Sequence, residues 1–237
     1  IRRQRQMCIR DRPSLVYTAS HGLLAPREGL DVQKRFNGAI CCQPETPGQE
    51  LVDCLFAADD VPLDEPFLEG GAFFQFACFG YGTPAESDYD HWLSGPELNA
   101  KADFVAALPK RLLSHPHGPI AFIGHVDAAW MHGFIDDPNH PDIIERWHHR
   151  IEPFVSALNS LLEVQPVGLA MASMNKRYDL QNAMLTDTYD RIKKGKQKVT
   201  AELRQRLSDS FITRSDAQNY MVFGDPAARL RIPLSDD

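Results

Sequence analysis

The chain has 237 residues, 43% hydrophobic and 24% charged side chains, and a formal net charge of −7, which fits one globular domain with or without a helical extension. No apolar run approaches the roughly 18 to 20 residues of a membrane span and no signal-peptide pattern is visible, so a soluble, cytoplasmic protein without a membrane partner is expected. The acidic balance speaks against general nucleic-acid binding, and five cysteines without a paired metal pattern in so long a chain argue for reduced thiols and no metal site.

The first segment, "IRRQRQMCIRDR", carries five arginines and one aspartate. Its tail looks like a translated sequencing adapter, so residues 1–12 are expected to be non-native and to carry no fold information, with Cys8 set aside and the native beginning missing. The domain is then read as residues 13–237. A basic nucleic-acid arm is the competing reading of the same twelve residues.

From there the pattern alternates. "SLVYTAS" (14–20) is a short β-branched and aromatic run that stops at His21-Gly22, as a buried strand with a turn at its end would. "FNGAICCQP" (36–44) fits a hairpin arm, Asp59 and Asp60 suit the first turn of a short helix, and "GGAFFQFAC" (70–78) makes a second strong strand. Residues 96–116 have apolar positions at helical spacing with a bend expected at Pro109, and "GPIAFIGHV" (118–126) is a third strand. Strand, helix, strand at these lengths means a mostly parallel sheet flanked by helices. From Ile143 to about Leu207 the pattern is mainly helical, with Lys193 to Lys198 as a solvated helix end or linker, and a last short strand is expected at 220–223.

In open parallel sheets, functional groups gather where strands deliver their C-terminal ends. Three such ends carry reactive side chains here: His21, Cys78 and His125. Cys78 has two readings, since free cysteine packs well in cores, yet "FFQFACFGYGTP" breaks straight into a glycine-containing turn, as a presented thiol needs. His125 is the rival of His21 for a base, because it too ends an apolar strand; it is otherwise read as lining a pocket. Cys41 and Cys42 are adjacent and read as packing. The histidines of "DYDHW", "HPHG" and "WHHR" are assigned to loops, surface or capping roles.

The segments "YTASHGL" and "FFQFACFGYGTP" resemble the His-Gly and Ala-Cys-x-x-Gly segments of the caspase-like cysteine peptidases, the gingipain branch in particular, with CHAT domains as close relatives. "GPIAFIGHVDAAW" and "FGDPAARL" are similar to the strand and pocket loop after the cysteine and to the closing Gly-Asp-Pro segment of that branch. The strand and helix that normally precede the histidine strand are absent, as expected of an N-terminally truncated domain. The resemblance implies an α/β caspase-like fold with a helical C-terminal section, and a cysteine endopeptidase without cofactors acting on a protein or peptide. His21 would be the base, Cys78 the nucleophile, and the amides of Gly22 and Cys78 the oxyanion hole. His125, Asp127 and Trp130 would line the substrate pocket, an acid there favouring a basic residue and an indole covering its alkyl stem; a solvated loop acid and a core tryptophan are the plain alternatives. Further domains in the full-length gene product are expected as partners. Two other functions stay open: a silent caspase-like or CHAT interaction module, and a thiol hydrolase of small amides, although Phe76 and Ala77 depart from the Gly-x-Cys-x-Gly elbow of many such enzymes.

Overall fold

A computed structural model describes residues 13–25, 29–42, 51–89, 100–130 and 145–231. The adapter-like residues 1–12 lie outside the described residues, as do 43 and 44 of the hairpin arm and 90–92 of "DYDHW". The architecture is α/β. Four strands form the main sheet in the order β1 (Leu15–Ala19), β4 (Ala72–Phe76), β7 (Ala121–His125) and β8 (Tyr220–Gly224). The first three run parallel, and β8 closes one edge antiparallel to β7.

β4 shows why the sheet forms from these residues. A parallel strand covered on both faces reads as continuous apolar sequence rather than alternation, and "AFFQF" does so. Phe73 stacks on Phe122 with ring centroids 5.6 Å apart and joins Val61, Phe67, Leu108 and Leu112 on one face. On the other face Phe74 packs with Ile123, Phe154, Leu161, Met174 and Tyr220. The polar member, Gln75, is buried and donates from Nε2 to Gly38 O at 2.8 Å, tying β4 to the loop after α1 (Leu30–Phe36).

The elements between the first three strands of the sheet are short. β2 (Ile40–Cys41) pairs antiparallel with β3 (Leu55–Phe56), so the hairpin-like arm forms as a two-stranded ladder. Asp59 and Asp60 sit in a single 3₁₀ turn, where Asp60 Oδ2 accepts from Ala57 N–H at 2.9 Å. The long bent helix expected over 96–116 is not formed among the described residues. β6 (Phe104–Val105) pairs with β5 (Gly82–Thr83), and α2 (Ala107–Leu113) follows. Pro109 is the third residue of α2, where its missing N–H would have had no intrahelical acceptor anyway, so it starts the helix rather than bending one.

The C-terminal section is helical: α3 (Glu145–Leu162), α4 (Val167–Ala170), α5 (Ala172–Lys193) and α6 (Ala201–Gln218). Lys194 to Thr200 links α5 to α6, and Thr200 caps α6 by accepting Leu203 N–H on Oγ1 at 3.2 Å. α6 continues past Leu207 to Gln218, further than the hydrophobic pattern indicates, because its second half is buried through polar residues. No described helix is long and apolar enough to cross a membrane.

Tyr220 is buried among these layers, and its hydroxyl has no partner among the described residues. Burial first, and the nearby Asp216 carboxylate second, hold its phenol well above the ordinary value of 10.0. A group whose folded-state pKa is raised contributes stability that is present below the unfolded pKa and lost as pH rises beyond it. The urea midpoint should therefore fall as pH rises through 10 and beyond, and Tyr220→Phe should flatten that fall. An unchanged slope in the variant would contradict the assignment.

Candidate active site

The pairing of β1 with β4 sets the site. Ala19 stands opposite Phe76, and the ladder ends with Ser20 N–H donating to Phe76 O at 3.0 Å. The same register offset of 57 residues, carried two residues further, sets His21 opposite Cys78 at the C-terminal rim. Beyond the strands the two chains come closer still. A Cβ built on Gly22 would lie 1.8 Å from Cys78 O and 3.0 Å from Cys78 N, so only glycine allows this approach.

Gly22 is held from its other side by β2. Cys41 N–H donates to His21 O at 3.0 Å and Leu23 N–H to Ala39 O at 3.3 Å. These bonds flank the Gly22–Ile40 bridge, which leaves Gly22 as a non-hydrogen-bonded pair member whose own N–H points away from β2. Among the described residues, neither Gly22 N–H nor Cys78 N–H donates to a backbone carbonyl. Both lie where they favour negative charge on the Cys78 sulfur.

Cys78 is partly buried, and its Sγ lies 3.5 Å from Ala129 O. Burial pushes this thiol up, the backbone at Ala129, Cys78 and Gly22 works against that push, and the Asp127 carboxylate adds to it. The resting group is therefore a neutral thiol, and nucleophilic attack needs a base. His21 is exposed, and its ring makes no hydrogen bond among the described residues, which leaves it available at the rim. The Cys41 thiol is also pushed up, by burial first, then by Cys42 and then by Cys78.

Of the three residues expected in the pocket, His125 ends β7, and Asp127 and Trp130 fall in the segment after it, whose Ala129 O lies against the sulfur. His125 has no exposed surface, with Nδ1 3.2 Å from Asp127 O and Nε2 3.2 Å from Asp216 O. That burial removes it as a solvent-facing rival to His21. The Asp127 carboxylate is buried as well and accepts from Ser87 Oγ at 2.7 Å, Asp88 N–H at 3.0 Å and Ala128 N–H at 2.8 Å. It braces the loop over 87–89 instead of facing water. Trp130 is partly exposed, and its ring meets Tyr89 edge to face at 5.5 Å.

Two backbone positions near the sulfur are unusual. Phe79 has φ +58 and Asp127 has φ +70, a region that side chains other than glycine seldom occupy. They are joined by Phe79 N–H donating to Asp127 O at 2.7 Å, so the turn after Cys78 and the turn after β7 fix each other. Tyr89, Ala129 and Asp216 carry no signal in the sequence that singles them out; only the loop expected at "DYDHW" lies near the first. Of the other histidines, His115 is buried and accepts His117 N–H on Nδ1 at 3.0 Å, a capping role, while the side chains of "WHHR" lie outside the described residues. No family model, no curated protein and no solved structure matches the chain.

Proposed function

We propose that this chain is a caspase-like cysteine endopeptidase that cleaves a protein or peptide through a His21–Cys78 dyad. The observation that carries the reading is the crossing of Gly22 over Cys78, which leaves two backbone N–H groups facing the sulfur at the C-terminal rim of a parallel sheet. Two such donors are what a carbonyl oxygen needs as it takes on charge.

In this mechanism His21 takes the thiol proton as Sγ attacks the scissile carbonyl carbon. The developing oxyanion sits between the amides of Gly22 and Cys78. As the C–N bond breaks, His21 returns the proton to the leaving amine, and an acyl thioester remains on Cys78. Water, deprotonated by His21, then attacks the thioester and releases the acid and the thiol. Trp130, which is partly exposed, would border the place that a substrate side chain occupies.

One observation favours a second reading. A thiol pushed up by burial, without a hydrogen-bonded imidazole among the described residues, also suits an interaction module of the same fold that binds a partner without turnover. Substoichiometric iodoacetamide separates the two. The peptidase labels Cys78 at least about tenfold faster than Cys41, Cys42 or Cys54, and His21→Ala removes that preference. Equal or slower labelling of Cys78 in the unsubstituted chain would sink the peptidase reading.

A further inference from the structure

The last turn of α6 carries buried polar residues where a surface helix would meet water: Ser215 and Asp216 have no exposed surface. Asp216 breaks local rules in several ways. A carboxylate at the C-terminal end of a helix faces the negative pole of the macrodipole, and a buried one needs partners for both oxygens. Its Oδ2 has none among the described residues. A buried acid that costs stability in this way is accounted for when its remaining contacts do something that a residue without a side-chain acceptor would not.

Those contacts all lead to one segment. Asp216 Oδ1 accepts Trp130 N–H at 3.2 Å and lies 3.4 Å from His125 Nε2. Each nitrogen of the His125 ring faces a backbone carbonyl, Asp127 O at Nδ1 and Asp216 O at Nε2. Val126 N–H donates to Asn219 O at 2.8 Å, directly after α6. Residues 125–130 are thus fastened to the end of α6 at three points, and the same residues supply Ala129 O at the sulfur and Asp127 O at the Phe79 amide.

We propose that Asp216 is a positioning residue, which through the Trp130 amide and the His125 ring holds the 127–130 segment in place over the Cys78 sulfur. Its effect on turnover rests on the peptidase reading; its effect on the segment does not. In the unsubstituted chain, hydrogen exchange followed by mass spectrometry should give the Trp130 amide the protection of the last turn of α6. Exchange there at the rate of an unanchored loop would overturn the proposal without any variant.

Asp216→Ala should raise exchange over 128–130 by about tenfold or more. It should speed iodoacetamide labelling of Cys78 several-fold by uncovering the sulfur, with Cys41 and Cys42 unchanged, and lower kcat/KM for any peptide that the unsubstituted chain cleaves. Asp216→Asn keeps an oxygen for the Trp130 amide and should restore the protection. Faster labelling of every cysteine alike, or exchange over 128–130 unchanged in Asp216→Ala, would reduce Asp216 to a packing residue and overturn the proposal. A chain that shows the exchange effects but cleaves no peptide would count against the peptidase reading and leave the anchoring intact.

Discussion

Cys78→Ala should lower peptide hydrolysis by on the order of 10⁴-fold or more, and His21→Ala by about 10² to 10⁴, with both variants folded. The unequal losses follow from the roles. Without the sulfur there is no acyl-enzyme, and the oxyanion donors can only orient a substrate for water. Without the imidazole the thiol remains, but burial holds it protonated at neutral pH and only a small thiolate fraction can attack. The His21→Ala loss should therefore shrink as pH rises above the ordinary thiol range, because solvent then removes the proton that His21 would take. Among the described residues the Cys78 thiol makes one hydrogen bond, the 3.5 Å approach to Ala129 O, so its truncation should cost little stability. Rates against a peptide library, set beside melting curves of the same preparations, check both parts. Hydrolysis undiminished in Cys78→Ala would remove the nucleophile from the account.

Gly22→Ala should be the most damaging conservative substitution at the rim. The added methyl would stand 1.8 Å from Cys78 O and 2.8 Å from Cys78 C, and both neighbours are backbone. Relief requires that the His21–Gly22 turn or the Cys78–Phe79 turn move, and either motion re-aims an oxyanion donor. Overpacking of this kind costs about 1–3 kcal/mol or more, and a lost donor costs about 10² to 10³ in kcat. A lowered melting temperature together with a kcat loss of that size is expected. Gly29→Ala is the matched control, since a Cβ there meets no atom within 4 Å. A Gly22→Ala chain with native stability and undiminished kcat would show that the crossing is not as close as described.

The strands were legible because their composition leaves little choice. "LVYTA", "AFFQF" and "AFIGH" are short apolar runs bounded by turn residues, and a run covered on both faces has no amphipathic signature that could be mistaken for a surface helix. The strand ends were legible for the same reason, since His21 and Cys78 each come two residues after such a run and His125 closes one. The loops were not. Pro109 looks like a bend in a long helix, but the residues before it pair as β6, because two extended residues against Gly82–Thr83 satisfy backbone groups that an isolated helical turn would leave open.

Asp127 and Asp216 show a deeper limit. Both are acids, in "HVDAAW" and "TRSDAQ", and neither pattern marks the carboxylate itself as buried. What buries Asp127 is the 87–89 turn, which supplies Ser87 Oγ and Asp88 N–H. What buries Asp216 is the docking of the last turn of α6 onto the end of β7. A residue's exposure at the end of a sheet is decided by segments far away in sequence, so an acid that reads as a pocket floor can serve as a brace.

In the proposed mechanism the amides of Gly22 and Cys78 receive the oxygen of a carbonyl attacked by the Cys78 sulfur. A crystal structure of the chain treated with a peptidyl aldehyde tests it most directly. The expected product is a hemithioacetal on Cys78 alone, with its oxygen about 3 Å from both amide nitrogens and the imidazole of His21 within hydrogen-bond reach of the adduct. An adduct whose oxygen turns away from Gly22, or an aldehyde that fails to bond to Cys78 at all, would contradict it.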